Sequence, residues 1–252
     1  QMCIRDRLYP DPAWRIMLDL DLLVPADAVL AGAAALREAG YAELSDIGFP
    51  AHHHYPAMGR PGGVVSVELH AEPLDLPLAR LLPAAWMLAE AMPQEKEGAR
   101  YALPPPRLRA IHAIAHAELA DHAHLLGRIP LKDLLDVALL ARHGLDDADW
   151  TAIAAAFAIQ GEATAFDCHR LALATLLGIT TPGPPPGRMA RLLFRRALRA
   201  LDHPVAASRT QRLLRPWLLL RRALSGPALR GKLLRSMTDA AWRRRQWERL
   251  RR

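Results

Sequence analysis

The chain has 252 residues, of which 51% are hydrophobic and 23% charged, and its formal net charge is +7. This composition supports a substantial buried core in one large or two small domains. The two cysteines, Cys3 and Cys168, form neither a disulfide framework nor a metal-binding spacing. We therefore expect a reducing, cytoplasmic setting. No apolar run approaches the roughly 20 residues of a membrane-spanning helix.

Residues 1–7 have no signal-peptide pattern, because they lack an apolar segment. They resemble a peptide obtained when sequencing-adapter DNA is translated onto a fragmentary gene. We therefore expect native sequence to begin near Leu8, and residues 1–7 do not enter the fold prediction.

The first part of the chain predicts a small mixed sheet. A helix is predicted at residues 25–39, because a proline fits its first turn and Gly40 its C-terminal end. A Gly-rich turn at residues 59–63 favours an antiparallel hairpin between the strands on either side of it. The predicted strands are residues 16–24, 41–44, 51–58 and 64–70.

The remainder predicts helices from the spacing of apolar residues. The predicted helices are residues 78–92 with an interruption at Pro83, 107–119, 131–142, 147–159, 163–177, 188–201, 209–224 and 228–251. Strands followed by helices indicate an α+β fold rather than a repeating βαβ fold. The predicted units are an α+β domain at 8–103, a helical domain at 104–180, a Pro/Gly linker at 181–187 and an arginine-rich helical tail at 188–252.

Three acidic residues on the predicted strands indicate a metal site. Asp19 and Asp21 are two residues apart, so on a strand they share a face, with Cα atoms about 6–7 Å apart. Glu68, on a neighbouring strand about 5 Å away, would complete a cluster of three carboxylates. Without a cation, mutual repulsion would raise the pKa values of these acids, whereas bound Mg²⁺ would keep them ionised. The alternative is an ordinary solvated strand face.

Histidines on the strands have structural and functional interpretations. Alternation places His52 and His54 on one face, and an exposed or hydrogen-bonded strand explains them better than a metal site, because no further ligand has zinc spacing. His70 follows Glu68 by two residues and shares its face. It could orient that acid or contact an acceptor.

Polar residues on two predicted helices are interpreted in the same way. His116 is interpreted as a structural histidine that faces the sheet. Asp133 and Asp136 are spaced i, i+3, which is typical of capping or ion pairing, and a role near a bound ligand is the alternative.

The tail is rich in arginine and nearly free of acids from Arg188 onward. Its apolar and basic residues alternate in the pattern of an amphipathic helix. Such a helix could dock on the protein's own helices, on a membrane surface or on nucleic acid. Arginine and alanine abundance also follows from coding bias toward G and C, and no nucleic-acid-binding module is recognisable.

A longer pattern joins several of these motifs. It begins with Leu-Tyr-Pro at 8–10, Arg15 and Asp-Leu-Asp-Leu-Leu-Val at 19–24. It continues with Gly-Tyr at 40–41, His-His-Tyr-Pro at 53–56, Val-Glu-Leu-His at 67–70, His116, residues 128–140 and Asp-Trp at 149–150. Over residues 8–178 this pattern resembles an uncharacterised bacterial nucleotidyltransferase family of the DNA polymerase beta-like superfamily.

The resemblance implies transfer of a nucleoside monophosphate from a nucleoside triphosphate to a hydroxyl acceptor, with Mg²⁺ or Mn²⁺ as cofactor. Asp19 and Asp21 would hold two cations, and Glu68 would share one of them or accept the acceptor's proton. Contacts with the nucleotide or the acceptor are expected from Arg15, His54 and His70. Supporting positions around the site are expected at His116, Asp133 and Asp136.

One part of the superfamily pattern has no counterpart here. A Gly-Ser or Lys-Gly turn usually precedes the first aspartate by about ten residues and cradles the phosphates, but the first glycine of this chain is Gly32. The resemblance thus implies that upstream sequence supplies the turn or that this fragment is inactive. A non-catalytic nucleotide-binding or antitoxin-like module, and an RNA-associated protein acting through its basic tail, are the alternative functions.

Overall fold

The computed structural model describes residues 8–44, 53–75, 77–96 and 98–224. His52, the predicted helix at 228–251 and the suspected artefact at 1–7 lie outside the described residues. No helix among the described residues is long and apolar enough to cross a membrane.

A four-stranded mixed sheet forms the first part of the fold. Its strands are β1 (Asp19–Leu23), β2 (Ala42–Glu43), β3 (Met58–Gly59) and β4 (Ser66–His70), in the order β1-β4-β3-β2. β1 runs parallel to β4, whereas β3 is antiparallel to both β2 and β4. The predicted hairpin across the Gly-rich turn is therefore confirmed, although β3 is shorter than residues 51–58.

The register of β1 and β4 determines which side chains share a face. Asp21 lies opposite Glu68, and Leu23 lies opposite His70. Val67 and Leu69 are buried, while Glu68 and His70 alternate with them on the other face of β4. One face of this strand is thus apolar and the other carries ionisable groups.

Helix α1 (Val29–Glu38) covers the apolar face of β4. Its residues Val29 and Ala33 are fully buried in a cluster that includes Leu69. A Cβ added at Gly32 would lie 3.1 Å from a Leu69 methyl group, so the absent side chain lets the helix approach the strand closely. This packing leaves the opposite, ionisable face of β4 available for a site.

A second antiparallel hairpin follows a short helix in the segment where a longer helix was predicted. Helix α2 (Ala84–Ala89) is short, and it is followed by β5 (Met92–Lys96) and β6 (Ala99–Leu103). The helix predicted at 78–92 is therefore wrong at both ends. Prolines at 83 and 93 account for the short length of α2, since proline lacks the N–H that a helix interior requires.

The rest of the described chain is helical, which confirms the α+β class with helices after the sheet. The helices are α3 (Pro106–Ala115), α4 (Ala123–Leu126), α5 (Leu131–Gly144), α6 (Asp147–Ile159), α7 (Ala163–Leu177), α8 (Arg188–Asp202) and α9 (Pro204–Leu224). A π-turn at His116–Ala120 extends α3. The last helix begins five residues before the predicted start at 209.

One hydrophobic core spans the predicted units. It joins Leu74 and Leu82 from the first part to Ile114 and Phe157 of the helical part, and it includes Phe194 of α8. Helix α8 therefore docks on the protein's own helices, with its arginines mostly on the outer side. The predicted domain boundaries stay predictions.

Candidate metal and nucleotide site

The ionisable face of β1 and β4 brings together three of the predicted residues. One ligand atom from each of Asp21, Glu68 and His70 lies within 4.8 Å of the other two. The parallel pairing places Asp21 directly beside Glu68, and His70 follows on the same face. The expectation that the two acidic runs lie side by side is thus confirmed.

His70 sits between the two carboxylates. Its Nε2 atom lies 3.3 Å from Asp21 Oδ1 and 3.5 Å from Glu68 Oε2. These are distances of an ion pair rather than of an ideal hydrogen bond. The position that a cation would occupy between the two acids is therefore within reach of an imidazole nitrogen.

The three groups shift one another's protonation. Burial opposes ionisation of Asp21, but contact with His70 and the charge of His112 outweigh it and lower the pKa of Asp21 to about 2. Contact with His70 also lowers the pKa of Glu68. Burial disfavours charge on His70, yet its contacts with both acids raise its pKa to about 9. Asp21 and Glu68 are thus ionised at neutral pH.

Asp19 lies one step along the same face and behaves differently. Burial, followed by repulsion from Asp21 and Glu68, raises the pKa of Asp19, although Lys132 partly offsets the effect. The predicted mutual rise of the carboxylate pKa values therefore holds for Asp19 and is wrong for the other two acids. The cause is His70, whose positive charge compensates the acids that it contacts.

Two more histidine rings lie beside His70. The rings of His53 and His54 are centred 5.3 Å and 5.1 Å from the ring of His70. His54 Nδ1 donates to the Tyr55 carbonyl at 2.7 Å and is 3.9 Å from Glu68 Oε2. His53 Nδ1 is 2.7 Å from Asp75 Oδ1. His54 thus borders the acids, while His53 pairs with a different carboxylate.

Comparison with protein families identifies the chain. Residues 2–177, which are more than half of the chain, match the model of a family described as uncharacterised nucleotidyltransferase. The chain belongs to this nucleotidyltransferase family. Searches of the curated proteins and of the solved structures returned no match. The family indicates nucleotidyl transfer and a nucleotide substrate, and it leaves the acceptor open.

In this nucleotidyltransferase, Arg15 has a protein partner. Its Nε atom donates to both Asp136 oxygens at 3.0 and 3.1 Å, and its Nη2 atom donates to Oδ2 at 2.8 Å. Tyr9 Oη donates to Asp136 Oδ1 at 2.9 Å. Arg15 therefore links the segment before β1 to helix α5, and its predicted contact with a phosphate stays a prediction.

The predicted supporting residues have separate surroundings. Asp136 forms an ion pair with Arg15, which agrees with the ion pairing that its spacing indicated. Burial raises the pKa of Asp133 despite the nearby charges of Lys132 and His116. The ring of His116 is 6.2 Å from that of His112. Their roles near a nucleotide stay predictions.

His112 and Lys132 were not among the predicted site residues, yet both influence the acids. The imidazole of His112 contributes to the low pKa of Asp21, and the charge of Lys132 partly offsets the rise in the pKa of Asp19. Lys132 is exposed in the first turn of α5 and is one of only three lysines in the chain. The scarcity of lysine in an arginine-rich chain is the sequence feature that distinguishes Lys132 from the other basic residues.

His112 predicts a pH dependence of stability. Its Nε2 atom lies 2.9 Å from the Pro73 carbonyl, and burial, followed by repulsion from His116, lowers its pKa to about 4. Between the unfolded value near 6.5 and pH 4, the unfolded chain binds more protons at this position than the folded chain. Folded-state stability should therefore fall as pH drops through this window, by up to about 3 kcal/mol from this residue. Urea unfolding at pH 7 and pH 4.5 measures the change.

The matched variants are His112→Gln and His143→Gln. Glutamine keeps a donor for the Pro73 carbonyl but does not titrate, so His112→Gln should flatten the loss of stability in acid. His143 is exposed near the end of α5, and its replacement should leave the loss unchanged. An identical pH slope in wild type and His112→Gln would refute this assignment.

Proposed function

We propose that the chain transfers a nucleoside monophosphate from a nucleoside triphosphate to a hydroxyl-bearing acceptor, using Asp19, Asp21 and Glu68 as metal-binding carboxylates. The observation that carries the proposal is the parallel pairing that sets Asp21 beside Glu68. Membership of the nucleotidyltransferase family supports the reaction class. The small mixed sheet with an Asp-x-Asp strand supports placement in the DNA polymerase beta-like superfamily.

The side chains on this face fit a divalent cation. Two ionised carboxylates converge, and burial together with repulsion from these two acids disfavours the charged form of Asp19. Carboxylate oxygens are preferred ligands of Mg²⁺ and Mn²⁺. When bound, such an ion would neutralise phosphate charge and lower the pKa of the acceptor hydroxyl.

The lowered pKa of Glu68 bears on whether this residue acts as a metal ligand or as the general base for the acceptor. An efficient general base has a pKa near the working pH, because it must be unprotonated and still bind a proton well. Contact with His70 moves the pKa of Glu68 in the opposite direction. Glu68 therefore suits the role of a ligand that stays ionised better than that of a base.

Lys132 and two histidines near the acids suit the triphosphate. Lys132 supplies an exposed ammonium group whose charge acts on Asp19, at the beginning of α5. His54 Nδ1 lies 3.9 Å from Glu68 Oε2, and His70 Nε2 lies 3.3 Å from Asp21 Oδ1. We assign Lys132 to phosphate binding and retain His54 and His70 as contacts of the nucleotide or the acceptor.

Nucleotide binding that requires a divalent ion tests this function. Wild-type protein should bind a nucleoside triphosphate in isothermal titration calorimetry only when Mg²⁺ or Mn²⁺ is present. Glu68→Gln removes one ionised ligand of nearly the same shape, so affinity should fall at least about tenfold. The base preference is read from a panel of the four triphosphates.

The control is Glu95→Gln on strand β5, where the side chain is exposed on a separate hairpin. Its affinity should equal that of wild type. Binding of equal strength without any divalent ion, or undiminished binding by Glu68→Gln, would remove the proposed function.

A further inference from the structure

We propose that His70 is a metal ligand and that this makes the site a mixed nitrogen–oxygen centre that favours a first-row transition ion, such as Mn²⁺, over Mg²⁺. This inference rests on the proposed function, because it assigns a property to the same site. It differs from the carboxylate-only site expected from the sequence, in which His70 served only to orient Glu68 or contact the acceptor.

The geometry favours His70 over Asp19 as the third ligand. Nε2 of His70 lies 3.3 and 3.5 Å from one oxygen of each acid, and all three ligand atoms fall within 4.8 Å of one another. Asp19 shares the face, but its carboxylate is not part of this group among the described residues. A cation centred on Asp21 and Glu68 would therefore lie within reach of the His70 nitrogen. On binding it would take the place of the proton on Nε2, which is released to solvent.

The histidine ring has no other hydrogen-bonding role in the described part of the chain. Both of its nitrogens are inaccessible to solvent, and neither has a hydrogen bond of ordinary geometry there. Buried polar atoms in this condition carry a desolvation cost unless a ligand, an ion or a water engages them. The neighbouring His53 differs, because Asp75 holds its Nδ1 atom.

The donor set determines the expected selectivity. Mg²⁺ binds oxygen ligands in a near-octahedral arrangement and keeps several waters, whereas imidazole is a better ligand for transition ions. A site with two carboxylates and one imidazole therefore lowers the relative affinity for Mg²⁺. The chemistry of His70 thus predicts which ion the full-length chain would select.

The experiment measures metal binding directly, without turnover. Mn²⁺ and Mg²⁺ are titrated separately into metal-free protein by calorimetry, and the Mn²⁺ complex is examined by electron spin-echo envelope modulation for a coordinated nitrogen. We expect nitrogen modulation in wild type, and we expect the ratio of Mn²⁺ to Mg²⁺ affinity to fall about tenfold in His70→Gln. His53→Gln, a matched change in the adjacent ring, should keep both the ratio and the nitrogen signal.

The outcomes separate this inference from the function on which it rests. If Mn²⁺ binds through Asp21 but wild type shows no nitrogen modulation, or His70→Gln keeps the affinity ratio, His70 is no ligand and the proposed function stands. If Asp21→Asn leaves the affinity for both ions unchanged, the metal site itself is absent. The wild-type spectrum decides the question even if His70→Gln fails to fold, and His70→Asn provides a second variant.

Discussion

Replacing Asp21 with asparagine is expected to lower the rate of nucleotidyl transfer by about a thousandfold or more, which corresponds to about 4 kcal/mol of transition-state stabilisation. Asparagine keeps the size of the side chain but removes the charge. Asp21 lies next to both other members of the site, because it pairs with Glu68 across the two strands and contacts His70. The rate is measured as pyrophosphate release at saturating nucleotide and divalent ion, in a protein whose acceptor has been identified.

The charge of Asp21 is required rather than its shape. Its pKa of about 2 means that it is fully ionised at any physiological pH, so the loss in Asp21→Asn should not depend on pH between 6 and 8. The fold should survive, because the substitution relieves repulsion on Asp19 and leaves His70 in contact with Glu68. Circular dichroism at the assay temperature verifies this.

The control is Asp27→Asn, in the exposed turn that follows β1. It removes the same charge close in sequence but away from the strand pair, and its rate should match wild type. A rate within a factor of three of wild type in Asp21→Asn would contradict the carboxylate mechanism.

Replacing Asp136 with alanine should lower the free energy of unfolding by about 3–5 kcal/mol, since it removes the carboxylate that neutralises a buried arginine. The side chains of Arg15 and Asp136 are each only 3% exposed. The change also removes the acceptor of the Tyr9 hydroxyl. Urea unfolding at pH 7 measures the difference.

A double variant distinguishes the loss of the ion pair from the loss of packing. Arg15→Met with Asp136→Leu replaces both charges by apolar groups, and buried pairs exchanged in this way are often neutral in stability. The double variant should therefore be more stable than Asp136→Ala. Asp133→Ala, one turn earlier on α5, should cost much less, because no ion pair of Asp133 occurs among the described residues. Equal losses in Asp133→Ala and Asp136→Ala would contradict the structural role of the pair.

The neighbourhood of the acids could be predicted because it depends on strand alternation. The two-residue spacing fixes a common face for Asp19 and Asp21, and the hydrophobic run around Glu68 fixes its strand. The parallel pairing that places β1 beside β4 is an observation of the structure, because alternation does not decide which strands are neighbours. Side-chain alternation is a local rule, and for that reason the shared faces could be predicted.

The parts that could not be predicted depend on contacts between distant segments. Arg15 and Asp136 are 121 positions apart, and no local pattern pairs them. His112 on α3 influences Asp21 because its ring contacts the Pro73 carbonyl in the segment that follows β4. The effect of His70 on the acids required the register, since it depends on which strand residues lie opposite each other.

The sequence contains a turn that is typical of the hairpin of β5 and β6, but the helix propensity of the preceding residues favoured a different prediction. A two-residue connection ending in Gly98, which has a positive φ of 79°, joins the strands. Such connections are typical of hairpins. The alanine- and leucine-rich stretch before it favoured a helix, and Pro93 then ended any helix without defining the element that follows.

The position of the metal can be determined by anomalous X-ray diffraction from crystals of the full chain soaked in Mn²⁺ and a non-hydrolysable nucleoside triphosphate analogue. We expect an anomalous peak between the carboxylates of Asp21 and Glu68, with the triphosphate bound to the same ion. A peak elsewhere, or triphosphate bound away from these two strands, would contradict this expectation.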